Sequence, residues 1–250
     1  MSLLLLGAGG PGGAAAGAGE PPTLVNIQLW YDAKDADTLW ADTTATTPAS
    51  DGGTVARWDD KSGNGRNLTQ STGTKRPIWT SATGYLTFDG TDDHLSVNGP
   101  SIAMPITAYV VIRRTTGGDG SARFVFDQDT FVSGENMGFQ KNVVQKANMI
   151  YAGNGIGDSD VWTLDTLQAY SLTYNGASST MHLNGVLQTG ASGITTGNAK
   201  LFRVGDSQGA GGGGQPFFGQ INEILVYTGA HDQATREAFE AYLMDKWSIV

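Results

Sequence analysis

The chain has no cysteine, which excludes disulfide bridges, thiol nucleophiles and cysteine-type zinc sites. Basic residues are scarce: 15 Lys and Arg stand against 24 Asp and Glu, a formal charge of -9, and no cluster of them breaks the acidic balance. Nucleic acid and anionic lipid are therefore poor partners, since both are held through concentrated positive charge. Long hydrophobic runs are missing near the start as well. The leucine run from Leu3 to Leu6 has no basic stretch before it, and it falls short of the about 7 residues of the shortest signal-peptide core and the about 20 of a membrane span. Only three histidines occur, and His94, His182 and His231 have no spacing that supports a catalytic triad or an HExxH zinc site.

What the chain does have is glycine and short β-forming runs. Its 36 glycines are about twice the usual share, and they punctuate the sequence with tight turns. Between those turns lie "NIQLWYDA", "TVARWDD", "GYLTFDG", "ITAYVVIRR", "ARFVFD", "QAYSLTY", "TMHLNGVLQT" and "GQINEILVY", each with β-branched or aromatic residues, several alternating in steps of two. Asn184-Gly185 inside "MHLNGVLQ" predicts a type I′ hairpin turn. Only the end reads as helical: in "DQATREAFEAYLMDKW" Asp232 caps the first turn, and Ala238, Phe239, Tyr242, Leu243 and Trp247 recur at three- and four-residue steps. The pattern predicts one all-β domain over residues 23–250, built from two sheets, with a C-terminal helix over 232–247.

Ahead of it, residues 1–22 are rich in Gly, Ala and Pro and cannot form a core of their own. They predict an extended arm tipped by Leu3, Leu4, Leu5 and Leu6, reaching roughly 66 Å if about 20 residues extend. Two readings of that tip stand side by side, a disordered tail and an assembly arm that docks its leucines into a neighbouring subunit.

Several segments in order, "LWYDAKDADTLW", "VARWDDKSGNGRNLTQ", "RPIW", "LTFDGTDDHLSV", "MHLNGVLQTG" and "FFGQINEILVYTGAHDQATREAFEAYLMDKW", resemble laminin-G-like, concanavalin-A-like jelly-roll domains, especially those of bacteriophage and bacterial surface proteins. The resemblance spans roughly residues 26–248 and implies a sandwich of two antiparallel sheets. The leucine run followed by glycines is similar to the start of phage virion proteins. That likeness implies a non-enzymatic virion component joined to other virion proteins through the arm, a homo-oligomer and by virion habit a trimer, with a host-surface glycan as a further partner. A secreted carbohydrate-binding module and a glycan hydrolase are the alternatives on the same fold.

"YLTFDGTDDHLSV" crowds Asp89, Asp92 and Asp93 at a turn between two strands. Calcium is the natural counter-ion, because it takes oxygen ligands from Asp, Asn, carbonyls and water, and related jelly rolls often carry such an ion. Asp59, Asp60 and Asn64 of "WDDKSGNGRN" form a second group expected to converge on it. Against a metal, Asp and Asn favour turns by bonding nearby amides, and Arg57, Lys61 or Arg66 would neutralise the acids. For glycan contact, "GDSDVWTLD" reads as a loop offering Trp162 as the exposed aromatic, with Asp158 and Asp160 beside it. "GDSQG" matches the nucleophile-elbow pattern, but Ser207 opens a glycine loop with no helix after it. No pair of acids alternates on one strand with a Glu partner nearby, so no catalytic residue is assigned.

Overall fold

The computed structural model describes residues 19–98, 101–116, 123–127, 137–141, 146–151, 154–188, 198–199, 202–207 and 214–250. Leu3, Leu4, Leu5 and Leu6 lie outside the described residues. In chain order the strands are β1 (Ile27–Asp32), β2 (Leu39–Trp40), β3 (Arg57–Trp58), β4 (Leu68–Thr69), β5 (Ile78–Thr80), β6 (Tyr85–Asp89), β7 (Leu95–Val97), β8 (Ile102–Ala103), β9 (Ile106–Arg114) and β10 (Arg123–Asp127). There follow β11 (Met137–Lys141), β12 (Lys146–Tyr151), β13 (Asn154–Val161), β14 (Leu167–Tyr174), β15 (Thr180–Leu183), β16 (Val186–Leu187), β17 (Asn198–Ala199), β18 (Phe202–Val204), β19 (Phe218–Thr228) and the helix α1 (Gln233–Trp247).

Two antiparallel sheets carry the architecture, as the sequence predicts. The first has the order β16-β15-β14-β9-β19-β6-β5 with β1 paired to β19, and the second runs β13-β12-β11-β10-β18-β7-β4-β3-β2. Between them lies a core that includes Trp58, Phe88, Phe126, Phe139, Tyr170 and Phe217. The Asn184-Gly185 turn joins β15 to β16 with φ of 46° and 79°, the paired positive angles that the dipeptide predicts.

Period-two alternation explains which residues face which way. In β9, Ile106, Ala108, Val110 and Ile112 enter the core between the sheets, while Tyr109 and Val111 join a second apolar cluster beneath α1. Both faces of this strand are covered, so "ITAYVVIRR" reads as a nearly continuous apolar run. The same holds for β19, where Ile221, Ile224 and Val226 face inward and Leu225 and Tyr227 face the helix. A register shift between Ile221 and Glu223 in the pairing with β9 puts a bulge at Asn222.

The helix starts where Asp232 accepts from the Thr235 amide at 2.8 Å and ends at Ser248 in the left-handed region, φ 53°. Phe239, Leu243 and Trp247 are buried as their spacing predicts. Ala238, expected on the same stripe, is exposed, and Glu240 takes the buried place by pairing with Arg236 at 2.6 Å one turn back.

A buried knot of charge fastens α1 to the first sheet. Glu223 is fully buried on β19, and its carboxylate accepts from Trp30 Nε1 at 2.9 Å, Trp247 Nε1 at 2.7 Å and Tyr242 Oη at 2.9 Å. Lys246 Nζ completes the set, 2.9 Å from Glu223 and 2.8 Å from Asp32. Burial pushes the Glu223 carboxyl up from its ordinary value, and the Lys246 ammonium pulls against it. The start of the described chain is tied to the same region: Pro21 is buried, the Thr23 carbonyl accepts from Tyr227 Oη at 2.9 Å, and the Gly19 carbonyl lies 3.1 Å from Tyr242 Oη. That hydroxyl has one hydrogen, so Gly19 and Glu223 compete for it.

Removing the ammonium takes from buried Glu223 its cation and leaves Asp32 with Lys61, 3.4 Å away. Lys246→Met should therefore destabilise the fold by about 3–5 kcal/mol in urea titration, and adding Glu223→Gln should recover part of that loss. A single variant as stable as the parent would show that the knot contributes nothing.

Candidate functional site

The acidic turn between β6 and β7 is built partly by its own side chains. Asp93 Oδ2 accepts from the Asp89 amide at 3.0 Å, and Asp89 Oδ1 accepts from the Thr91 amide at 2.8 Å. Asp89, Asp92 and Asp93 each place one carboxylate oxygen within 4.8 Å of the others, a hard-oxygen set of the kind that suits calcium. Lys75 Nζ stands 3.7 Å from Asp92 Oδ2 as a partial counter-charge. Asp93 is 5% exposed, and its carboxyl is raised to about 6, first by burial and then by the charges of Asp89 and Asp92.

Beside this turn a cavity of about 260 Å³ is lined by Lys75, Thr91, Asp92, His94, Arg203, Asp206, Ser207 and Gly214. Gly205 sets its depth. At φ 87° the residue has the left-handed backbone that favours glycine, and a Cβ there would sit 2.2 Å from Phe88 Cδ1 and 3.0 Å from the Asp93 carbonyl. The end of β18 thus presses directly on the core ring, which brings Asp206 and Ser207 opposite the acidic turn. Asp206 is 6% exposed, lies 3.9 Å from Arg203 Nη1, and its Oδ1 has no hydrogen-bond partner among the described residues. Burial pushes its carboxyl above the ordinary range.

His94 has a defined tautomer. Gln70 Oε1 accepts from the Thr72 amide, so the Gln70 Nε2 group is the donor to His94 Nε2 at 2.8 Å, and His94 Nδ1 then donates to the Asp92 carbonyl at 2.9 Å. Burial lowers the His94 pKa, in keeping with this neutral ring. Both ring nitrogens are occupied, so no lone pair is left for Ser207, although the two residues line one cavity.

Other residues singled out in the sequence fall elsewhere. Asp60 does not join the acidic trio, contrary to expectation: Oδ1 accepts from the amides of Trp30 and Ser62, and Oδ2 from Ser62 Oγ and the Arg66 amide. Its carboxylate shapes its own loop and docks it to β1. Asn64 turns its amide nitrogen to the carbonyls of Ile27 and Gln28 and likewise stays with that loop, while Asp59 accepts from Trp40 Nε1 at 2.8 Å and pairs with Arg57. Trp162 is 1% exposed and packs against Phe139 and Tyr170 at centroid distances of 5.4 and 5.5 Å, so it is a core ring and not the exposed aromatic expected. The reason is that "GIGDSDV" is strand β13 and not a loop, so its far end delivers Trp162 to the interior. Asp158 and Asp160 lie on that strand, and their side chains are outside the described residues. Trp30, Trp58, Trp79 and Trp247 are buried and Trp40 is half-buried, so no indole stands free for stacking. Sequence reasoning missed Lys75, Arg203 and Asp206. The nearest signal was the short "FRVGDS" run, whose alternation puts Val204 in the core and Arg203 on the opposite side.

Neither a family model nor a curated protein matches the sequence. Among solved structures, a sialidase of Trypanosoma rangeli is similar at a TM-score of 0.58 and 11% identity, over 88% of this chain and 33% of its own. The binding domain of Paraclostridial Mosquitocidal Protein 1 is similar at a TM-score of 0.56 and 12% identity, over 88% of this chain and 52% of its own. The chain thus spans about a third to a half of the length of these structures. The shared feature is the fold, a concanavalin-A-like jelly-roll sandwich.

The Asp93 environment gives a signed pH effect. Its folded pKa of about 6 lies above the ordinary 3.8, so between those values the folded state holds a proton that the unfolded chain lacks, and this group stabilises the fold increasingly as pH falls through 6. His94 acts oppositely, because its lowered pKa makes stability fall as pH drops below 6.5. The stability of the parent minus that of Asp93→Asn, measured by urea titration in chelator, should therefore rise from pH 7.5 to pH 4.5. A flat difference would contradict the buried, crowded carboxyl.

Proposed function

We propose that the protein is a non-enzymatic component of a bacteriophage particle whose jelly roll binds a host-surface glycan at the rim cavity. The observation that carries this reading is the lining of that cavity. Lys75 and Arg203 supply donors, Asp92 and Asp206 supply acceptors, and Thr91 and Ser207 supply hydroxyls, all around about 260 Å³. Mixed donors and acceptors of both signs match the hydroxyls of a sugar better than a polyanion or an apolar ligand. Asp206 Oδ1, which has no hydrogen-bond partner among the described residues, is an acceptor that a sugar hydroxyl would satisfy. Similarity in fold to the binding domain of Paraclostridial Mosquitocidal Protein 1 supports a recognition role.

A non-catalytic role is supported by the pairing of each cavity carboxylate with a cation, Asp92 with Lys75 and Asp206 with Arg203, and by the fully engaged His94 ring. Calcium belongs to the same proposal. It would be held by Asp89, Asp92 and Asp93, bracing the turn that carries one wall of the cavity. Attachment to the particle, in a homo-oligomer, is assigned to the arm and its leucines, and is supported by the virion-like start of the sequence and by the anchoring of residues 19–23 on Tyr242 and Tyr227.

A glycan array probed with and without calcium tests the recognition role. Selective binding should fall at least about tenfold in Asp206→Asn, which halves the acceptor strength of the wall, and should weaken in chelator, with no reducing ends released from the bound polysaccharide. Binding unchanged in the variant, or sugar release by the parent, would refute the reading. For the arm, deletion of residues 2–18 should leave the melting temperature unchanged and abolish incorporation into particles; normal incorporation would remove the arm from assembly.

A further inference from the structure

A second cavity, of about 300 Å³, opens on the outer face of the first sheet just past the C-terminal end of α1. Its floor comes from β6, β9 and β19 through Tyr85, Arg113, Gln220 and Asn222, and its walls include Lys34, Lys246 and Trp247. Arg113 follows Tyr109 and Val111 in the outward series of β9, so it emerges where the helix no longer covers the sheet. In a chain with 15 basic residues against 24 acidic ones, three cations and no carboxylate among the described lining residues is a marked local reversal.

The three cations are not equivalent. Lys246 is committed to Asp32 and Glu223. Lys34 Nζ donates to the Lys246 carbonyl at 3.4 Å and lies 5.4 Å from the Trp247 ring centroid, which offsets the negative end of the helix, and it has no carboxylate partner among the described residues. Arg113 has no acceptor among the described residues, and its Nε is buried. Asn222 is 2% exposed; the bulge aims it here, its Nδ2 donates to the Gly84 carbonyl at 3.2 Å, and its Oδ1 is buried with no donor among the described residues. One wall thus holds an unfilled donor on a planar guanidinium and an unfilled acceptor on an amide. Buried polar groups left this way are costly unless a ligand completes them.

We propose that this cavity binds the carboxylate of a sugar acid. Arg113 takes the carboxylate in its planar fork and Lys34 adds the second positive charge. Asn222 Oδ1 accepts from a ring hydroxyl, while Gln220 and Ser248 offer further polar contacts and Tyr85 an apolar flank. An inorganic anion brings charge to the guanidinium but no ring hydroxyl to set beside Asn222, and a neutral sugar brings hydroxyls but no counter-charge for the guanidinium. The site is separate from the rim cavity, whose lining shares no residue with it.

Calorimetric titration of the full chain with D-glucuronate, D-glucose and inorganic phosphate tests the assignment. Glucuronate should bind, glucose should show no measurable heat, and phosphate should bind at least about tenfold more weakly than glucuronate. Arg113→Gln should weaken glucuronate at least about tenfold, as expected for loss of a charge-assisted pair. Lys34→Gln, at an exposed position that carries no fold risk, should weaken it by about threefold or more. Asp206→Asn should leave glucuronate binding unchanged, which separates this site from the rim. Equal binding of glucose, equal binding of phosphate, or undiminished affinity in both the Arg113 and Lys34 variants would each overturn the proposal.

Discussion

The carboxylate of Glu223 organises more of this molecule than any other single group. Fully buried on β19, it receives hydrogen bonds from Trp30 on β1 and from Tyr242, Lys246 and Trp247 on α1. Strand, neighbouring strand and helix meet at one charge. Hydrophobic burial alone would let α1 slide over the outer face, because that attraction has no direction. Three directed contacts from α1 to the two carboxylate oxygens fix the helix's rotation and its distance along the sheet. The position of Lys246, Trp247 and Ser248 at the mouth of the cationic cavity follows from that fixation, as does the place where the Gly19–Thr23 segment lies.

Much of the sandwich was legible from local patterns. Alternation in "LTFDG" and "QINEILVY", the Asn-Gly hairpin and the capped helical stripe each rest on short-range physics that a sequence displays directly. "GIGDSDV" misled because its glycines and acids look like turn formers, yet its backbone pairs with β12 as a strand. Trp162 followed it into error: a tryptophan next to polar residues looks exposed until the strand's course is known. The nearly continuous apolar run of "ITAYVVIRR" marks a strand covered on both faces, but it does not say over which strands the helix lies.

The sites divide along the same line. Asp89, Asp92 and Asp93 are adjacent in the chain, so their convergence was readable. Asp206, Arg203, Arg113 and Asn222 come together with distant partners only through strand register and a bulge, neither of which leaves a mark in single-sequence spacing. Asp60 shows the opposite failure: its type and neighbours suited a metal, but a carboxylate that accepts from two amides and a hydroxyl of its own loop, and from the Trp30 amide, is already committed.

Gly205 carries a last consequence. Because its backbone rests against Phe88 with no room for a side-chain atom, the segment bearing Asp206 and Ser207 inherits the immobility of the packed interior. The wall is preorganised, so a ligand arriving there would lose little affinity to stiffening a loop, and selectivity would come from the fixed spacing of rigid groups and not from mutual adjustment.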